Sequence, residues 1–253
     1  LVDVNGKGYY VNITDGKGRL VIENVTGGDY TILAKYPGDD KYNAVDAGSK
    51  SVTVSDLPSS VSVKVDNITY GDNAVVEVTV PADATGNVTV TIDGKSYTAN
   101  VTGGKATIIV PNLGAGNYTV DAVYSGDNKY KSNSSSADLE VYKVTVGPDD
   151  IKVIDQHNGT VVVIVPDGAT GNVTVTVEGV PYNATVEDGV ATITLPDVTG
   201  THEIEVTYSG DGNHTGTAKT SEVTLPSIAT PISVSADSIK VGDTAVVTVT
   251  VHS

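Results

Sequence analysis

The chain contains no cysteine, tryptophan, methionine or phenylalanine. Without cysteine, disulfides and thiolate metal sites are excluded, and no disulfide framework reports the compartment. Large apolar mass comes only from Val, Ile, Leu and 13 Tyr. Positive charge is also scarce: Arg19 is the single arginine, and the formal net charge is −16. Binding to nucleic acid needs clustered Lys and Arg to neutralise phosphates, so that class is excluded. An anionic membrane surface repels the chain for the same reason. No apolar run is long enough to cross a bilayer, since the strongest, Val161 to Val165, is strand-sized. A signal-peptide pattern is also missing, and the chain reads as a piece of something longer.

Valine and threonine dominate what remains, and β-branched residues favour pleated, half-buried strands. The same sentence is written three times, about 85 residues apart. Each copy opens on a hairpin turn, at Asn5-Gly6, Asp93-Gly94 and Glu178-Gly179. Each continues to a Tyr-x-Gly-Asp block, beginning at Tyr36, Tyr124 and Tyr208, that lies 31, 31 and 30 residues after its turn. A fixed internal plan at this period means an array of small domains. Its acidity is spread over all copies, which suits solubility and mutual repulsion in a crowded surface layer.

One repeat can be read from end to end. Val61 to Val65 alternates with period two, Ala74 to Val80 follows the Gly71-Asp72 turn, and Val88 to Ile92 leads into the Asp93-Gly94 hairpin. Ser96 to Val101, Lys105 to Val110 (after Gly103-Gly104), Asn117 to Tyr124 and Ala137 to Tyr142 complete seven strands. Seven short alternating strands with a turn every 8–12 residues predict an all-β fold of tandem immunoglobulin-like β-sandwiches. Tyr118 opens the sixth strand at the spacing of a tyrosine corner, Tyr30 matches it in the first repeat, and His202 takes the place in the third.

The register predicts four segments. Residues 1–54 carry strands three to seven of a sandwich, 55–143 and 144–226 are complete domains, and 227–253 carry strands one and two of a further one. Linkers are expected at Ser55-Asp56-Leu57-Pro58, Val146-Gly147-Pro148 and Pro226-Ser227, with proline there and at Pro231 holding the array extended. The two end segments are complementary. Either the chain is cut from a longer array, or neighbouring molecules complete each other by strand exchange.

Eleven of the 16 asparagines begin an N-x-[ST] sequon: Asn12, Asn24, Asn67, Asn87, Asn100, Asn117, Asn133, Asn158, Asn172, Asn183 and Asn213. Ser and Thr make up about a fifth of the chain, so chance gives roughly three. Dense N-glycosylation of a surface protein is one reading. The other is strand patterning, since Asn and Thr two apart share the outward face; it explains Thr better than Asn, which strands disfavour.

The Tyr-x-Gly-Asp blocks read either as calcium sites at domain junctions or as turns between the last two strands. Calcium takes six to eight oxygens and each loop offers one or two carboxylates, which favours the turn, with Gly at positive φ and Asp bonding nearby amides. His157, His202, His214 and His252 fall at no metal-ligand spacing, so no metal and no cofactor is expected. No serine sits in a nucleophile elbow, no helix is expected, and the paired carboxylates Asp149-Asp150 lie in a linker, so no enzyme is predicted. A Lys–Asn isopeptide bond among Lys64, Asn133 and Asp121 is conceivable, against the plainer reading of Lys64 as a solvated edge lysine.

Gly-Asn-Val-Thr-Val at Gly86 and Gly171, Gly-Asn-Tyr-Thr-Val at Gly116 and Tyr-Ser-Gly-Asp at Tyr124 and Tyr208 resemble the bacterial-type immunoglobulin-like (Big-type) repeats of large adhesin-like surface proteins. Such arrays are typical of methanogenic archaea. The resemblance covers every repeat, and it departs at His202 and in the lack of Phe and Trp. It implies an extracellular, cell-surface or cell-wall-associated protein whose copies form the stalk of an adhesin or filament. Its partners would be further repeats of the same chain or ligands on a host or partner cell. A self-assembling fibre or surface-layer subunit, and a carbohydrate- or protein-binding module, are the alternatives. Against the module, sugar faces usually present stacked aromatics, whereas many tyrosines here hold core-like positions.

Overall fold

The computed structural model describes residues 1–196, 198–227 and 232–251. Pro231, His252 and Ser253 lie outside these residues. The chain divides into two compact units, Leu1–Tyr142 and Lys143–Ser253.

In the first unit, β1 (Val2–Val4), β2 (Lys7–Tyr9), β3 (Gly28–Tyr36) and β4 (Val45–Val54) form one sheet in the order β2-β1-β3-β4. The next repeat supplies β5 (Ser62–Val65), β6 (Ile68–Thr69), β7 (Ala74–Thr79), β8 (Asn87–Ile92), β9 (Lys95–Asn100), β10 (Lys105–Val110), β11 (Gly116–Tyr124) and β12 (Asn133–Tyr142). They make two layers, β10-β7-β5 and β6-β12-β11-β8-β9. The second unit repeats the plan. Its strands are β13 (Lys152–Asp155), β14 (Thr160–Ile164), β15 (Asn172–Val177), β16 (Val180–Thr185), β17 (Val190–Thr194), β18 (Gly200–Tyr208) and β19 (Thr217–Leu225). These form sheets β13-β14-β17 and β16-β15-β18-β19, and β20 (Ile232–Ala236) pairs with β21 (Val247–Val251) in a separate hairpin.

Period-two patterning builds each sandwich. Ala74, Val76 and Val78 of β7 face Val88, Val90 and Ile92 of β8, while Asn87, Thr89 and Thr91 point outward. The core of the second repeat runs through Val120, Ala122, Tyr124 and Leu139, and the third repeats it with Val161, Val163, Val173, Val175 and Tyr208. In the absence of Phe and Trp, Tyr124 and Tyr208 are the largest fully buried side chains. Burying a side chain of that kind contributes on the order of 2–3 kcal/mol. The hairpin turns Asn5-Gly6, Asp93-Gly94 and Glu178-Gly179 each have positive φ at both residues. That is the type I′ geometry whose twist matches the flanking strands.

The structure corrects three expectations and decides between the two readings of Lys64. A two-residue strand, β6, was not anticipated; it crosses to the second layer and pairs parallel with β12. In residues 1–54 the fifth strand does not form. In the complete repeats that strand (β10 or β17) pairs with the second strand (β7 or β14), and the first repeat offers no such neighbour. The expected linkers 55–58 and 146–148 are not free: Leu57 makes a parallel bridge to Tyr130, Val146 N–H donates to Thr215 Oγ1 (2.9 Å), and Pro148–Asp150 forms one turn of 3-10 helix closed by the Asp150 carboxylate on Gly147 N–H (2.8 Å). Lys64 is the solvated edge lysine of the plainer reading, on the edge strand β5, and not part of an isopeptide bond. Lys64 and Asp121 are exposed on outward positions of opposite layers, Lys64 pairs with Asp66 (3.5 Å), and Asn133 Nδ2 donates to Ser59 O (2.7 Å).

Candidate functional site

The Tyr-x-Gly-Asp block forms the loop between the last two strands of each repeat. In the second repeat Asp127 Oδ1 accepts the amides of Lys129 and Tyr130, both at 2.8 Å. Its Oδ2 reaches Thr85, just before the neighbouring strand β8 of the same sheet, accepting from N–H at 2.7 Å and from Oγ1 at 3.0 Å. The third repeat rebuilds the set. Asp211 Oδ1 takes Asn213 N and His214 N at 2.7 Å, and Oδ2 takes Thr170 N at 2.6 Å and Thr170 Oγ1 at 3.1 Å. Burial acts to raise both carboxyls. The amide donors outweigh it and hold Asp127 and Asp211 well below the ordinary carboxylate range. The Tyr124 and Tyr208 hydroxyls are pushed up to about 12, by burial first and then by the adjacent aspartate. Tyr208 donates to Thr170 O at 2.8 Å, whereas Tyr124 lies near Asp127 without a hydrogen bond of good geometry.

A second sequence motif closes on the first. Ser125 Oγ accepts Asn87 N–H (3.0 Å) and donates to Gly126 O (2.8 Å), and Ser209 does the same with Asn172 (3.0 Å) and Gly210 (2.8 Å). Gly86 and Gly171, at φ +86° and +93°, lie so close that an added Cβ would meet Gly126 O at 2.6 Å and Gly210 O at 2.5 Å. The glycines of Gly-Asn-Val-Thr-Val and Tyr-Ser-Gly-Asp therefore recur together because they touch. The sequence showed both motifs but not this contact, which spans about 40 residues of chain.

The loop also grips what comes before it. Leu57 N–H donates to Lys129 O (2.8 Å), Lys131 N–H returns to Leu57 O (2.9 Å), and Gly27 N–H of the first repeat donates to Asn128 O (3.1 Å). In the second unit Val144 pairs with Asn213 O and Thr215 N, both at 2.9 Å, and Lys143 Nζ reaches Asp211 O (2.6 Å). Asp39 keeps the local half of the plan, accepting Lys41 N (2.8 Å), Tyr42 N (2.7 Å) and the Tyr36 hydroxyl. The Tyr36 bond first, then those amides, lowers its pKa. Each complete loop thus spends its carboxylate on protein donors. Among the described residues no group of three or more His, Asp or Glu is placed to hold a metal.

The corner residues make a common contact. The Tyr118 hydroxyl donates to Gly114 O and that of Tyr30 to Thr26 O, both at 2.9 Å, and His202 Nε2 meets Thr199 O at 2.7 Å. His157 sits by Asp155 (3.1 Å), and His214 is buried with Nδ1 at 3.0 Å from Asp211.

Of the sequon asparagines, Asn12, Asn24, Asn67, Asn87, Asn100, Asn117, Asn133, Asn158, Asn172 and Asn183 are exposed and Asn213 is half-buried. Exposure does not make them equivalent. Asn67 Nδ2 donates to the Tyr142 hydroxyl (2.9 Å) while its Oδ1 accepts Glu140 N–H (2.9 Å), and Asn133 Nδ2 is bound to Ser59 O. Both amides are structural partners in the folded repeat. Asn87 and Asn100 lie directly opposite on β8 and β9, and Asn183 opposes Thr174 across β15 and β16.

Residues 61–147 match the family model of the bacterial Ig-like domain (group 3), so the second repeat is similar to the Big-type domains its motifs resemble. Domains of this class are generally non-catalytic. No curated protein matches the chain. Among solved structures it is similar to the fibronectin(III)-like modules of Clostridium thermocellum CbhA, at 15% identity over 66% of this chain and 94% of that one, with a TM-score of 0.28. A 1.5-MDa bacterial ice-binding adhesin gives 16% identity, 78% and 74% coverage and a TM-score of 0.29. The FN1–FN3 domains of chicken CNTN1 give 9%, 81%, 78% and 0.28.

Proposed function

We propose that this chain is a non-catalytic repeat segment of an extracellular, surface-attached adhesin or filament. Its copies act as spacers between an anchor and a binding tip. The observation that supports this most is the rebuilding of one aspartate-centred loop in both complete repeats, with the carboxylate engaged inward and the incoming chain held by the same loop. Such a loop positions a repeat relative to its chain rather than offering groups to a substrate. The exposed sequons would carry N-linked glycans, with Asn67 and Asn133 the exceptions because their amides are engaged. Negative-stain imaging and intact-mass measurement of natively sourced material test both parts. Beads on a string and a mass above that of the polypeptide are expected; compact particles refute the spacer and a bare mass refutes the glycans.

A second reading, a fibre subunit completed by strand exchange, is favoured by an exposed apolar groove in the first repeat. Leu1, Val2, Leu20, Ala34 and Tyr36 line it, and Ile232, Val234, Val247 and Val249 of the β20–β21 hairpin are exposed. Sedimentation over a concentration series tests it: a monomer at every concentration removes this reading and leaves the spacer untouched.

A further inference from the structure

Two of the 16 asparagines stand directly before a glycine, Asn5 and Asn158. Such a pair can modify itself, because glycine has no Cβ to shield its backbone nitrogen from the preceding side-chain amide. The fold treats the two pairs in opposite ways. Asn5-Gly6 is the type I′ turn between β1 and β2, with φ of +49° and +86°. Asn5 Oδ1 accepts Thr31 N–H (2.7 Å) and Nδ2 donates to Asp29 O (3.3 Å), so both ends of the carboxamide are committed to β3. Gly6 N–H is itself bound to Asp3 Oδ1 (2.8 Å).

Asn158-Gly159 lies in the loop between β13 and β14, and Asn158 is exposed. Its Oδ1 accepts Thr160 N–H (3.0 Å), which folds the side chain back over its own next peptide in the manner of an Asx-turn. That is the side on which the Gly159 nitrogen lies, and the bond polarises the carbonyl whose carbon would be attacked. Among the described residues neither Asn158 Nδ2 nor Gly159 N–H has a hydrogen-bond partner.

We infer that Asn158 is a site of self-modification, with water as the only co-reactant, and that folding holds Asn5 inert. The Gly159 nitrogen loses its proton and bonds to Asn158 Cγ; the bond from Cγ to Nδ2 breaks, and ammonia leaves from a closed succinimide ring. Water then opens one of the two ring C–N bonds. One opening gives aspartate, the other an isoaspartyl link in which the backbone runs through the side chain. A water is consumed, an ammonia is released, and nothing is oxidised or reduced. Conversion adds a carboxylate to a loop that already carries Asp155, and it ends the sequon Asn158-Gly159-Thr160. An isoaspartyl link also lengthens the backbone beside Gly159, whose carbonyl accepts Leu195 N–H (2.8 Å). The inference does not rest on the spacer reading or on the glycans.

The test is incubation of the full, glycan-free chain in mildly alkaline buffer, with isoaspartate followed by peptide mapping. Conversion at Asn158 is expected to be roughly tenfold faster than at Asn5, whose carboxamide must first break two hydrogen bonds. The same incubation in urea should remove the difference, since both sites are plain Asn-Gly pairs once the tertiary contacts are gone. Gly159→Ala should slow conversion at Asn158 and leave Asn5 as it was. Amide exchange at Leu195 should quicken in the converted chain. Comparable rates at the two sites in the folded chain would overturn the inference. So would a difference that survives in urea, which would assign it to neighbouring sequence rather than to the fold. An Asn158 that stays intact while the unfolded chain converts refutes it too, and unchanged exchange at Leu195 refutes the effect on the loop. Should Gly159→Ala fail to fold, the comparison of the unaltered chain with and without urea still decides.

Discussion

The second and third repeats solve one problem with different residues. Where the second holds its entering segment with the Asn67 amide and the short strand β6, the third shows no such strand among its described residues and uses the Asp155 carboxylate on Thr224 N–H. Where the second has Tyr130 bonded to Asp83 (2.7 Å) and Lys129 paired with the same carboxylate, the third has the buried His214 against Asp211, and Gly168 stands at the place of Asp83. What does not change is the aspartate that ties the loop to Thr85 or Thr170. The difference teaches which contacts the architecture demands and which it leaves to local chemistry.

The largest effect should come from removing what is shared. Asp127→Ala strips four donors of their acceptor, and Asp211→Ala strips the corresponding four together with the Tyr208 hydroxyl; each should destabilise its own repeat by on the order of 3 kcal/mol. Amide exchange at Thr85 or Thr170, followed with urea unfolding, measures it. Loss confined to the mutated repeat supports the loop as a local keystone.

Next comes a contrast at equivalent glycines. Gly104 and Gly189 have φ of +72° and +77°, but a Cβ at Gly104 would meet Ala82 Cα at 2.7 Å, whereas at Gly189 the nearest atom is 3.5 Å away. Gly104→Ala should cost on the order of 2 kcal/mol and Gly189→Ala about 1 kcal/mol, the latter from the left-handed backbone alone. Equal losses in thermal unfolding would break this part of the comparison.

Acid should then separate the two ways of holding the entering segment. Burial acts to raise the Asp155 carboxyl, but the amides of His157 and Thr224 and the His157 ring bring it below the ordinary 3.8. A lowered folded pKa means the stabilisation is fully present above the ordinary value and lost as the pH falls through the folded one. Exchange protection at Thr224 should therefore fade below about pH 4 relative to Glu140, whose acceptor Asn67 does not titrate. Asp155→Asn should abolish that difference between the repeats.

The smallest effect is expected on the surface. Asp83→Gly copies the third repeat into the second and removes an exposed Lys129–Asp83 pair together with the exposed acceptor of the Tyr130 hydroxyl. The change in midpoint should be slight and should shrink further at high salt.

Much of the fold was legible because it depends on local rules. The type I′ turns follow from Gly at the second turn position, and the buried faces of β7, β8 and β10 follow from alternation. The strand β6 was not legible: two residues give no period, and Asn67-Ile68-Thr69 reads equally well as a sequon. The missing fifth strand of the first repeat was also beyond local reading, because a strand needs a neighbour and pattern alone does not supply one. Of the candidate site, the positive φ of Gly126 and Gly210 and the amide-bonding role of the aspartates could be foreseen. Their reach to Thr85 and Thr170 could not.

The sequence by itself determined the repeat, its register, its turns and which side chains face inward, since these rest on φ preferences and a period of two. Tertiary structure alone decided which polar groups are spent. Asp127 meets Thr85 at 42 residues' separation and Asn67 meets Glu140 at 73. Only the pairing of strands distant in the sequence, β11 beside β8 and β12 beside β6, brings such donors and acceptors together.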